Sequence, residues 1–142
     1  MAIDPDILEE SLDMLFNREP EFTHNFYTTL FERHPEAAEL FAHVDMDTQE
    51  TKLSESLVLL VQRLEDAQWL ETTLFGLGAS HEDAGVDPEM YPWVASSLLD
   101  TARSCMHEEW TPAIDAAWTE ALQSIAEMML VGHRARRAER AA

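Results

Sequence analysis

Lysine, cysteine, glycine and strand-like alternation are what this chain has least of. A single lysine, Lys52, stands among 142 residues, and nine basic side chains face 28 acidic ones, for a formal net charge of −19. A surface that acidic repels phosphate backbones and anionic lipid headgroups, which argues against nucleic acid and membranes as partners. One cysteine, Cys105, allows no internal disulfide and fits a reducing compartment. With four glycines and no Gly/Ser/Pro-rich stretch, nothing marks a linker or a Gly-rich loop for a dinucleotide. The longest apolar run, Leu57-Val58-Leu59-Leu60-Val61, is far too short to span a bilayer. The opening Met1-Ala2-Ile3-Asp4-Pro5-Asp6 is acidic and lacks the apolar core of a signal peptide. These scarcities predict one cytoplasmic domain over residues 1–142, with the size to bury roughly 68–70% of its unfolded surface.

What is present is helical periodicity. Proline follows Asp4, Glu19, His34, Asp87 and Thr111, where a first helical turn tolerates it. Apolar residues recur at intervals of three and four: Leu8, Leu12 and Leu15; Phe22, Phe26 and Leu30; Leu53, Leu57 and Leu64 after an opening at Thr48. Leu70, Leu74 and Leu77 lead to Gly78, read as a helix end. Tyr91, Val94, Leu98 and Ala102 follow, and Ile114, Trp118, Ala121, Ile125 and Met128 mark the last helix. Six or more unequal helices favour irregular all-α packing around a pocket over a four-helix bundle. The arginines gather late: residues 134–142 form a basic tail with four of the eight, leaving residues 1–132 with 27 acids and five bases, a charge of −22. Dense carboxylates of this kind suit either a plain solvated surface or high salt.

His81 is the first candidate for chemistry, since it follows Leu74 and Leu77 by seven and four residues on one face. Leu77-Gly78-Ala79-Ser80-His81, then Gly85-Val86-Asp87-Pro88-Glu89-Met90-Tyr91 and Leu98-Leu99, resembles the segment around the proximal haem ligand of globins, in particular bacterial flavohaemoglobins and single-domain globins. Phe26-Tyr27-Thr28-Thr29-Leu30-Phe31, Pro35-Glu36, Leu40-Phe41, Gln49, Leu53 and Ala117-Trp118 match that group's motifs in order. The resemblance covers about residues 6 to 133 and implies a globin fold, a three-over-three helical sandwich around haem b.

Carried onto this sequence, the resemblance makes His81 the iron ligand. Phe41 lies against the porphyrin, Tyr27 and Gln49 form the distal polar pair, and Leu53 narrows the space above the iron. Leu77 and Val94 line the cofactor, while Lys52 and His43 meet its propionates, where positive charge is scarce. Tyr91 orients His81. The family's second orienting group, a glutamate in the last helix, falls in this register on Ala135, between Arg134 and Arg136, with Glu139 the nearest acid. The carboxylate is then missing, and His81 is expected to donate to a backbone carbonyl near Leu77.

The resemblance implies reversible binding of O2, and of NO and CO, by a monomer or homodimer, with oxygen transport as one role. NO dioxygenation is the enzymatic alternative and would call on an external reductase, since the sequence has no dinucleotide loop. A haem-based gas sensor or a haem-free interaction module is a third. Other patterns carry less: Asp45-Met46-Asp47-Thr48-Gln49 begins like a calcium loop, but Glu50 stands where glycine is required and Ser56 where the bidentate acid belongs. Cys105 keeps the helical spacing of Leu98 and Ala102 and reads as core.

Overall fold

A computed structural model describes residues 3–142. Met1 and Ala2, which head the segment that lacks a signal-peptide core, lie outside the described residues. The chain is all helical among those residues: α1 (Pro5–Arg18), α2 (Phe22–Arg33), the short α3 (Pro35–Glu39), α4 (Met46–Gln62), α5 (Ala67–Asp83), α6 (Met90–Met106) and α7 (Pro112–Ala141). No helix among them is long and apolar enough to cross a membrane.

Local chemistry explains the starts. Asp4, Asp45, Asp66 and Thr111 each accept a backbone N–H at the head of α1, α4, α5 and α7, satisfying donors that a helix leaves orphaned. Pro5, Pro35 and Pro112 occupy first turns as the sequence suggests, whereas Pro20 and Pro88 lie in the turns before α2 and α6. The fourth helix opens at Met46, not Thr48, because the Asp45 carboxylate caps it. That cap also accounts for the calcium-like spacing.

Two layers result. α1, α2, α4, α6 and the first half of α7 close over the main core, in which Phe26, Leu8 and Met106 are almost wholly buried. Trp118 of α7 donates through Nε1 to Ser11 Oγ of α1 at 2.8 Å, so these two polar groups satisfy each other inside the core. The second layer is α5 laid along the rest of α7, around Leu70, Leu74, Tyr91 and Met129. α5 meets the first layer chiefly through Tyr91 of α6 and through Leu60 and Leu64 at and after the end of α4.

Glycine sets the closeness of α5 and α7. Gly78 does not end its helix; α5 runs on to Asp83, and a Cβ on Gly78 would lie 1.8 Å from the Met129 carbonyl oxygen. Likewise a Cβ on Gly132 would lie 1.9 Å from the carbonyl oxygen of Phe75. The two helices therefore cross backbone to backbone, a contact open only to residues without a side chain. The true end of α5 is followed by Gly85 at φ +91°, a conformation that disfavours other residues. The basic tail is itself helical: Arg136, Arg137 and Arg140 continue α7 and pair with Glu82 and Asp83 in the last turn of α5 and with Asp87 beyond it.

Candidate functional site

Tyr27, on α2, is buried among aromatic rings: Phe26 at 4.8 Å, Phe41 at 5.5 Å and Phe31 at 5.7 Å between centroids. Phe41 comes from the turn after α3, so the aromatic cluster pins that turn to α2. Gln49 of α4 donates from Nε2 to the Tyr27 hydroxyl oxygen at 3.0 Å. Burial pushes the phenol pKa up, with the Gln49 bond opposing. A phenol that stays neutral and accepts from Gln49 keeps its own O–H proton for a further acceptor. Leu53, one turn past Gln49, is half-buried against the core.

His81 lies in the last turn of α5 rather than beyond it. Its Nδ1 is 2.7 Å from the Leu77 carbonyl oxygen. A carbonyl only accepts, so Nδ1 carries the proton and Nε2 is left with a bare lone pair. Burial pulls the imidazole pKa below its ordinary value; the Leu77 bond opposes this and nearby His133 adds to it. The product is a neutral imidazole with one free nitrogen, the form that ligates a metal. Leu77, one turn before His81 on α5, and Val94, one turn after Tyr91 on α6, are 38% and 36% exposed, large for apolar side chains.

The structure brings Tyr27, Phe41, Gln49 and Leu53 together, and His81, Leu77 and Tyr91 at another place. Lys52 and His43 are exposed and join neither group through any hydrogen bond or ion pair among the described residues. The Tyr91 ring lies 6.1 Å from that of His81, and its hydroxyl bonds not to His81 but to Nδ1 of His133 at 3.1 Å. The register of the last helix thus needs correction. The residue facing Tyr91 is His133, not Ala135, because the Gly132 crossing turns the next side chain into the gap between α5 and α6. Glu139 pairs with Arg136 instead.

A carboxylate is present after all, and it comes from α5. Glu82 Oε2 lies 3.2 Å from His133 Nε2, although off the line of a hydrogen bond. His133 is 0% exposed. Burial, then the charge of Glu82, pushes the Tyr91 phenol up to about 12. Neither His133 nor Glu82 stands out in the sequence. The stripe Trp118, Leu122, Ile125, Met129 continues by four to His133, which would place it inward were it not counted with the arginines.

The globin family profile matches residues 24–129, three quarters of the chain. The chain is a globin. It is 32% identical over 107 residues to an anaerobic nitrite reductase of Oryza sativa subsp. japonica, a match covering 71% of this chain and 73% of that protein. Flavohemoprotein B of Dictyostelium discoideum is 30% identical over 124 residues, which cover 87% of this globin but 29% of that protein. The globin therefore spans less than a third of the flavohaemoproteins it matches. Among solved structures, a bacterial globin from Campylobacter jejuni superposes with a TM-score of 0.78 at 20% identity, over 92% of this chain and 94% of that one. An engineered carbene transferase from Rhodothermus marinus superposes at 0.84 and 24%, over 97% and 96%. Both likenesses concern the fold, which is the three-over-three arrangement expected. Membership implies a haem cofactor, and the donor set fits one: a neutral imidazole with a bare nitrogen, a part-buried polar pair, and exposed apolar side chains at Leu77 and Val94.

Proposed function

We propose that this globin binds O2 reversibly at haem b, and takes NO and CO at the same place, with His81 as iron ligand. The observation that carries the reading is the 2.7 Å bond from His81 Nδ1 to the Leu77 carbonyl, which leaves Nε2 unprotonated and aimed away from its own helix backbone. Haem, when bound, would supply an iron able to take a gas molecule. His81 would hold that iron through Nε2. Leu77, Val94 and Phe41 contribute the apolar surface that keeps water from the ring. Tyr27, whose hydroxyl oxygen accepts from Gln49, would have its O–H free to donate a hydrogen bond to a bound gas molecule, and Leu53 would limit the space for it. Lys52 and His43, free of ion pairs among the described residues, serve the two propionates.

The proximal geometry favours binding over turnover. A carboxylate bonded directly to the ligand imidazole would enrich it in electrons, whereas His81 donates to a peptide carbonyl, a weaker acceptor. NO dioxygenation is the second reading. It is favoured by the flavohaemoprotein relatives and by the Rhodothermus marinus neighbour, an engineered carbene transferase whose parent was proposed to be a nitric oxide dioxygenase, and it requires a source of electrons. Absorption spectra of the haem-loaded ferrous protein, with and without CO, test the assignment. His81→Ala is expected to lose the five-coordinate ferrous spectrum or the haem itself; an unchanged spectrum refutes the ligand. Sustained nitrate production from NO and O2 with a supplied reductase would move the protein to the enzymatic reading.

A further inference from the structure

His133 is wholly buried on α7, immediately after the Gly132 crossing, and neither of its ring nitrogens faces water. Nδ1 meets the Tyr91 hydroxyl at 3.1 Å. A neutral phenol has one proton to give, and among the described residues this nitrogen is the acceptor within its reach, so Tyr91 donates and Nδ1 accepts. A neutral imidazole that accepts at Nδ1 carries its proton on Nε2. That nitrogen lies 3.2 Å from Glu82 Oε2, and among the described residues no hydrogen-bond partner stands in line with it. Glu82 is itself held in place, with Arg140 Nε at 3.2 Å and Arg137 Nε at 3.4 Å, and it is the residue next to His81.

We infer that Glu82 and His133 are positioning residues that act on His81 through Tyr91, the carboxylate fixing the Nε2–H tautomer of His133 and His133 in turn fixing the Tyr91 ring beside the His81 imidazole. The chain of contacts runs from α5 to α7 to α6 and back to α5. It delivers the influence of a carboxylate to the ligand imidazole at two removes, through a ring that stands 6.1 Å away at 50°. The buried orphan at Nε2 is the reason for Glu82: an N–H removed from water with no acceptor is unfavourable, and the carboxylate is the group within reach. The arginines of the C-terminal segment then have a use beyond solubility, since two of them hold Glu82 against this site. The effect on the iron rests on the haem reading; the tautomer does not.

Two measurements decide it. In the haem-free full chain, nitrogen-15 NMR of the histidine rings is expected to show His133 protonated at Nε2 alone; a proton on Nδ1 overturns the relay whether or not haem binds. In the haem-loaded protein, Glu82→Gln and Tyr91→Phe are each expected to shift the iron–imidazole stretching band and the midpoint potential. Introducing Glu82→Gln in the Tyr91→Phe background is expected to add nothing further, since the link is already cut. Additive shifts, the sign of a charge acting through space, or an unmoved band in Glu82→Gln overturn the proposal. A wild-type chain that shows no Soret band after haem addition would instead refute the proposed function, leaving the tautomer to judge the relay.

Discussion

Tyr27 shows how one hydroxyl acquires a direction. It is buried, kept neutral, and accepts from Gln49, so its own O–H remains available to donate to a further acceptor. Tyr27→Phe is expected to speed O2 release about tenfold, the loss of one hydrogen bond of roughly 1.4 kcal/mol, as read by stopped-flow displacement with CO. An unaltered rate would shift that role to Gln49. Asp115 is a second residue with a defined charge state. Its carboxylate accepts from Arg103 Nε at 2.7 Å and from Trp110 Nε1 at 2.9 Å, and chiefly the arginine holds its pKa below the ordinary value. A lowered carboxylate pKa contributes stability that is complete above the unfolded value of about 3.9 and is lost as pH falls through the folded one. Asp115→Asn is therefore expected to cost about 1 kcal/mol at pH 7 in urea unfolding, with the difference from wild type closing below about pH 4.

At the scale of elements, the α5–α7 crossing separates glycines that look alike in sequence. Gly78 and Gly132 stand where a methyl group would overlap a backbone carbonyl of the other helix, and only movement of a whole helix could make room. Gly132→Ala is expected to destabilise the protein by at least about 1–3 kcal/mol and to weaken haem retention, since His133 and His81 both take their places from this contact. Gly76, two residues before Gly78 in α5, has open space where a methyl group would sit, with no neighbouring atom within 4 Å. There the same change removes backbone freedom from the unfolded chain, and Gly76→Ala is expected to stabilise by about 0.5–1 kcal/mol. Thermal unfolding of the pair checks both signs.

For the molecule as a whole, charge is the dominant feature. A net −19 on 142 residues makes the folded surface repel itself, and the C-terminal arginines relieve this locally by pairing with Glu82, Asp83 and Asp87. At 0.01 M salt the Debye length is about 30 Å, long enough for charges across the domain to interact, and at 1 M it is about 3 Å. Raising salt from about 0.01 to 0.5 M is expected to lift the melting temperature by at least 2–4 °C, about the shift that 1 kcal/mol produces in a chain near this size. A melting temperature that falls with salt would mean that the arginine pairs outweigh the general repulsion.

Much of this was legible in the sequence because helices announce themselves locally. Apolar spacing of three and four gave most of the elements their inner faces, and aspartate, threonine and proline marked most of their starts. The pairing of Tyr27 with Gln49 and the bond of His81 to Leu77 were legible too: the second spans one helical turn, and the first joins motifs whose order the family shares. What could not be read was anything fixed by the meeting of distant helices. Gly78 looks like a helix end until Met129 is seen against it, and Glu82 looks like one more surface acid until His133 arrives from 51 residues away. A helix specifies which side chains share a face, but the distance and rotation at which two helices cross depend on all the contacts between them at once. For that reason the sequence determined the helices and the candidate imidazole of His81, and only the tertiary structure decided what stands behind it.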